Sequence, residues 1–148
     1  MRRLRRFLTL SSADRMLLLR AAGALAAMRV ALWALSLRKV QKLIGRAAGR
    51  PLLPDVHRRS AERIAWAVQT AARYVPGATC LPQALTTHLM LLRNGHCAHV
   101  RIGVTITDER CLQGHAWVEA EGGRVVAGGD VTRYLALGPG SEGGRRPG

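Results

Sequence analysis

Cys80 and His115 are the two side chains around which a reaction can be written. Cys80 stands in Thr79-Cys80-Leu81-Pro82-Gln83-Ala84-Leu85, and His115 in Gly114-His115-Ala116-Trp117-Val118-Glu119. A thiol attacks as thiolate, a form favoured by a helix N-terminus and by a neighbouring imidazolium. The residues around Cys80 describe such a helix start. Thr79 is a suitable N-cap, Pro82 is tolerated only in a first turn, and the run to Arg93 stops at Asn94-Gly95, a left-handed C-terminal signal. A cysteine opening a helix and a histidine in a later strand form the layout of a nucleophile and its general base.

The elements that follow must bring the two together. After Asn94-Gly95 the apolar period shortens from about 3.6 to 2. Val100, Ile102, Val104 and Ile106 alternate along a first strand, and Asp108-Glu109-Arg110 makes a turn. Leu112 to Glu121 reads as a second strand, with His115, Trp117 and Glu119 on one face and Ala116, Val118 and Ala120 on the other. Gly122-Gly123 reads as a two-residue hairpin loop leading into a third strand, Arg124 to Ala127. That loop pairs Glu121 with Arg124, and continuing the register sets Asp130 opposite His115. Opposed residues hold their Cβ atoms about 4.5 to 5.5 Å apart, so Asp130 is the expected acid that orients the imidazole. The pair Gly128-Gly129 is of the kind that marks a bulge, which would shift this register by one. Glu119 shares the face of His115 but lies about 13 to 14 Å along the strand, a poor substitute. Cys97 and Cys111 read as strand packing. His96, Cys97, His99, Cys111 and His115 are ligand-type residues without paired metal spacing, so no metal is expected.

The N-terminal half supplies helices. Ser11 and Asp14 are spaced like a capping box before a long helix to about Leu37. Leu17, Leu18, Ala21, Leu25, Met28, Leu32 and Leu35 fall in one stripe, while Arg15, Arg20, Arg29 and Arg38 lie outside it. Arg20 and Arg29 argue against a membrane span, each costing about 2.5 to 3.5 kcal/mol near a bilayer centre; lying on a membrane surface is the milder alternative. Arg38 to Arg50, with Gly45 and Gly49 and then Pro51 and Pro54, reads as a connection. Ser60 caps a further helix carrying Ile64, Ala67, Val68, Ala71, Tyr74 and Val75, stopped by Pro76-Gly77. Residues 138–148 lack the apolar side chains needed to fold and are expected to be disordered. The fold class is therefore α+β, with N-terminal helices packed on a small antiparallel sheet. Its parts are a basic helical segment (1–58), a core (59–137) and a tail (138–148), in a single compact domain.

The chain has 148 residues and a formal net charge of +14, nearly all from arginine, since Lys39 and Lys42 are its lysines. Such a balance suits acidic partners or anionic surfaces. Few aromatics and no binding motif argue against nucleic acid. Three cysteines without framework spacing, and no visible signal peptide, suggest a cytoplasmic protein without disulfides.

From Arg15 to Leu137 the chain resembles the stand-alone leader peptidase of lasso-peptide biosynthesis, a small member of the transglutaminase-like, papain-related superfamily. The resemblance rests on Ala67-Val68 to Pro76-Gly77, Cys80-Leu81-Pro82-Gln83-Ala84-Leu85, Leu91-Leu92-Arg93-Asn94-Gly95, Arg101-Ile102-Gly103-Val104 and His115-Ala116-Trp117-Val118-Glu119, in this order. It implies a transglutaminase-like core in which Cys80 attacks the amide joining leader and core of a ribosomally made precursor. His115 is then base and acid, Asp130 completes the triad, and no cofactor is needed. It also implies partners: the precursor peptide, a separate leader-binding domain and an ATP-dependent lasso cyclase. Acyl transfer to an amine by the same triad is the alternative enzyme. A non-catalytic basic adaptor for acidic peptide or a membrane surface, with Cys80 merely packed, is the alternative outside catalysis.

Overall fold

The structure, a computed structural model, describes residues 10–49, 59–107 and 111–137. The N-terminal arginines, Pro51 and Pro54, the Asp108-Glu109-Arg110 turn and the C-terminal tail lie outside the described residues. Four helices, α1 (Ser12–Ala34), α2 (Leu37–Ala48), α3 (Ala61–Ala72) and α4 (Cys80–Arg93), precede a four-stranded sheet. Its strands are β1 (Ala98–Ile106), β2 (Leu112–Ala120), β3 (Arg124–Ala127) and β4 (Leu135–Leu137), in the order β3-β2-β1-β4 and antiparallel throughout.

α1 starts where its cap was expected, with Ser11 Oγ accepting from the Asp14 amide at 3.1 Å. Its stripe is buried from Leu17 to Met28, while Leu32 and Leu35 pack at the margin of a second cluster. The helix stops at Ala34, before the expected Leu37, because Leu35 turns to extended backbone. Leu37–Ala48 is then a helix of its own and not the expected connection. Its Val40 and Ile44 are one turn apart and join Met28 and Leu85 in the second cluster. Burying that stripe outweighs the roughly 1 kcal/mol that Gly45 costs inside a helix. By length and composition α1 is also apolar enough to cross a membrane, but its stripe lies in the protein core.

Ser60 caps α3 through its Oγ, which accepts from the Arg63 amide at 3.2 Å. The Arg63 guanidinium then grips Asp14 with two hydrogen bonds, tying the starts of α1 and α3 together, and lies 4.3 Å over the Trp66 ring. α3 ends at Ala72, so Tyr74 is outside the helix and exposed. One core contains Leu17, Leu18 and Ala21 of α1, Ile64 and Val68 of α3, Leu91 of α4, and Ala116, Val118 and Ala120 of β2. The face of β2 expected to carry Ala116, Val118 and Ala120 is thus the helix-facing side. His115, Trp117 and Glu119 occupy the other face.

Joining β3 to β4 requires the chain to cross the outer face of β2 and β1, since those two strands lie between them. This strap, residues 128–134, covers Trp117, which is 3% exposed although it faces away from the helices. Gly103, paired with His115 in β1, is shaped by the same packing: a Cβ there would lie 2.7 Å from the Trp117 ring and 2.8 Å from the Leu135 carbonyl oxygen. Glu119 anchors the indole, accepting from Trp117 Nε1 at 3.0 Å and from Arg101 Nε at 3.1 Å. Partial burial works against ionising Glu119, but the hydrogen bonds from Trp117 and Arg101 prevail and hold its carboxyl below the usual glutamate range.

Gly103→Ala should lower stability by about 1 to 3 kcal/mol through overpacking against Trp117. Gly114→Ala, with open space around its Cβ position, should stay within about 0.5 kcal/mol. Equal urea midpoints for the two variants would contradict this packing. Glu119 has a lowered folded pKa, so its contribution is present above the unfolded glutamate value and is lost as pH falls through the folded one. The stability gap between wild type and Glu119→Gln should therefore narrow on acidification below the usual glutamate range, as read by thermal melts across pH.

Candidate active site

Cys80 is the first residue of α4, as its surroundings require. Thr79 occupies the N-cap position in extended conformation but makes no side-chain cap, so the first-turn N–H groups keep their polarity toward the thiol. Two side-chain ties, one local and one long-range, hold the preceding loop. Gln83 Nε2 donates to the Ala78 carbonyl at 2.6 Å, and Arg29, reaching from α1, donates to the Pro76 carbonyl. Gly77 adopts φ 68°, which favours glycine, and the Arg29 guanidinium lies 2.7 Å from where a Cβ would stand.

Cys80 and His115 line one cleft of about 240 Å³, together with Gln69, Gln83, Thr87 and Gly128. His115 lies beyond the last β2–β3 pair, Val118 with Ala127, where β2 has lost its β3 partner. No direct hydrogen bond joins thiol and imidazole; such contacts commonly tighten only when substrate binds. Thr87 is fully buried with its Oγ1 unpartnered at the same cleft. These two helix and strand residues, 35 positions apart in the chain, are the ones that spacing singled out.

The partner of His115 differs from the one expected. Its Nε2 lies 2.7 Å from the Gly128 carbonyl oxygen. A carbonyl only accepts, so Nε2 carries the proton, and in the neutral ring Nδ1 is left with the lone pair. Tyr134 packs on the ring at 4.8 Å between centroids, and Trp117 stacks at 6.4 Å. The imidazole is thus fixed in tautomer and plane by the strap.

The expected His115–Asp130 hydrogen bond is not made. Instead the Asp130 carboxylate accepts from the Thr132 amide at 3.0 Å and the Thr132 hydroxyl at 2.7 Å, bonds that hold its carboxyl below the usual aspartate range. The register explains the difference. The loop contains Glu121 as well as Gly122 and Gly123, Ala120 pairs with Arg124, and an irregularity between Val118 and Glu119 restores the pairing of Val118 with Ala127. β3 then ends, because Gly128 at φ 120° and Gly129 at φ 68° turn the chain into the strap. Asp130 shapes that strap as an Asx turn. Glu119 holds Trp117 and is no orienter of His115 either.

Gly128, Tyr134, Arg29, Gln69 and Thr87 were not assigned roles from the sequence. Only the Gly128-Gly129 pair carried a signal. Two of the other histidines have structural partners: His88 Nε2 contacts the Ala98 carbonyl at 3.0 Å, burial pushing its pKa down, and His96 Nε2 contacts the Arg59 carbonyl at 2.7 Å. Among the described residues no three His, Cys, Asp or Glu side chains converge as a metal site, and all three cysteines are free thiols.

Neutral His115 should show a protonated Nε2 and a bare Nδ1 by ¹⁵N NMR; the opposite tautomer would exclude the Gly128 bond. Iodoacetamide should alkylate Cys80 about tenfold more slowly once His115→Ala removes the base. Gly128→Ala should have a similar effect, because its Cβ would meet the Trp117 Cβ at 2.3 Å. Asp130→Asn keeps an oxygen for Thr132 and should alkylate near the wild-type rate. A loss as large as that of His115→Ala would return Asp130 to the role of orienting acid.

A family model for the transglutaminase-like superfamily matches residues 24–138. No curated protein and no solved structure matches. The match covers most of the chain, from the second half of α1 through the other three helices and the whole sheet, including Cys80, His115 and the strap between β3 and β4. The chain belongs to the transglutaminase-like superfamily.

Proposed function

We propose that the chain is a cysteine peptidase that removes the leader from a ribosomally made lasso-peptide precursor. The observation that carries the catalytic part is that Cys80 at the start of α4 and His115, with Nε2 held by the Gly128 carbonyl, line the same cleft. The lasso assignment rests on the motif resemblance described above.

His115 Nδ1 takes the thiol proton, and the Cys80 thiolate attacks the scissile carbonyl carbon. The Cys80 backbone N–H and the Gln69 amide, which lines the cleft, are the proposed donors to the oxyanion. The imidazolium then returns its proton to the departing amine as the C–N bond breaks. Water, deprotonated by the same Nδ1, hydrolyses the thioester and frees the thiol. No metal or cofactor is required by this sequence. A separate leader-binding domain and the lasso cyclase are the proposed partners, in the cytoplasm. Peripheral membrane contact, if it occurs, would use the outer face of α1, where Trp33 is 90% exposed.

The test is cleavage of a lasso precursor by the full chain, with and without a leader-binding domain. Cys80→Ala and His115→Ala should abolish cleavage, whereas Cys97→Ala and Cys111→Ala should retain most of it. A Cys80→Ala protein cleaving at the wild-type rate would end this reading. Adding a primary amine separates the two enzyme chemistries: hydrolysis predicts the free acid as main product, and accumulation of the amide would establish acyl transfer instead.

A further inference from the structure

A second cavity, of about 530 Å³, opens between α1 and the C-terminal half of α4, away from the Cys80 cleft. Leu17, Leu89 and Met90 give it apolar walls, and Arg20, Arg59 and Arg93 give it charge. Its volume is in the range of sites that bury a ligand.

Arg59 donates to the Ala13 carbonyl at 3.3 Å and interacts electrostatically with Asp14, which leaves Arg20 and Arg93 as the guanidinium groups of the cavity without a carboxylate among the described residues. The carboxylates of the described residues are engaged elsewhere: Asp14 with Arg63, Glu62 with Arg124, Glu119 with Arg101, Glu121 near His96, and Asp130 with Thr132. Two polar atoms of the lining residues are also buried without a partner, Arg93 Nε and Asn94 Oδ1. The Asn94 side chain is oriented by Nδ2, which donates to the Met90 carbonyl at 2.8 Å.

An inorganic anion would leave the apolar walls of Leu17, Leu89 and Met90 unmatched. A peptide can set apolar side chains against those walls while its acidic side chains meet the arginines with charge-assisted hydrogen bonds. We infer that the cavity between α1 and α4 is a binding site for an acidic peptide segment with apolar flanking residues. This inference stands apart from the reaction at Cys80, since it rests on a different cavity and is read by binding.

The experiment uses the full chain carrying Cys80→Ala, so that turnover cannot enter the reading, and the fluorescein-labelled peptide Leu-Glu-Leu-Glu-Leu-amide followed by anisotropy. Binding is expected with a Kd below about 1 mM. Arg20→Glu and Arg93→Gln should each weaken it by about tenfold or more. Arg20 is exposed, so its variant keeps the test informative if Arg93→Gln does not fold. Arg46→Glu, on the exposed face of α2, should leave binding nearly unchanged. The proposal is overturned if the peptide does not bind, if Arg46→Glu weakens it as much as Arg20→Glu, or if a Leu-Gln-Leu-Gln-Leu-amide probe binds equally well. Full displacement by inorganic phosphate at about the peptide's own Kd would likewise overturn it, by making the site one for simple anions.

Discussion

The close passage of the Gly128 backbone over Trp117 is the contact on which the geometry of the Cys80–His115 cleft depends. Any side chain at position 128 would meet the Trp117 Cβ, and φ 120° at that residue is a conformation side chains rarely adopt. With glycine there, the carbonyl comes within 2.7 Å of His115 Nε2, and Tyr134 arrives on the same imidazole six residues later. Trp117 is in turn fixed by Glu119, which Arg101 also binds, and its ring fills the space that Gly103 leaves open. His115 is thus oriented by main chain and packing. An acceptor belonging to the backbone cannot titrate, so the tautomer of His115 does not depend on ionising a second side chain.

Cys80 is positioned by an independent set of contacts. α4 is anchored in both hydrophobic clusters, through Leu91 in one and Leu85 in the other, which fixes its axis. Its start is set by the loop from Pro76 to Thr79, which Arg29 and Gln83 hold from opposite directions in the chain. α1 therefore has a part in the site without touching it: its buried stripe packs the core, and one arginine outside the stripe steadies the loop that ends at Cys80.

The excess of arginine divides into two groups in three dimensions. Arg29, Arg63, Arg101 and Arg124 bind carbonyl or carboxylate oxygens between elements and act as cross-links. Planar guanidinium suits such multi-point bonding better than lysine does, which accords with the scarcity of lysine. Arg20 and Arg93 stand instead at an open cavity whose described lining holds no carboxylate, and Arg59 belongs to both groups, lining that cavity while donating to the Ala13 carbonyl of α1. The same composition thus serves cohesion in one place and a charged concave surface in another.

Local chemistry made much of this legible in the sequence. Helix starts at Ser11, Ser60 and Thr79, the Asn94-Gly95 stop and the alternation around His115 are decided by near neighbours, and so could be read without a fold. The presence of Cys80 at a helix start and His115 in a strand followed from them. What sequence could not supply was decided by contacts distant along the chain. α2 exists because Val40 and Ile44 find Met28 and Leu85 to pack on, which overrides the glycine inside it. β4 exists because three residues pair with β1 after the chain has crossed the sheet. The partner of His115 changed for the same kind of reason. A register extended past Ala127 assumes a continuing strand, whereas the glycine pair ended it and set a backbone carbonyl where a carboxylate was expected. Side-chain periodicity identifies which residues can do chemistry; which groups meet them depends on where the backbone goes once regular pairing stops.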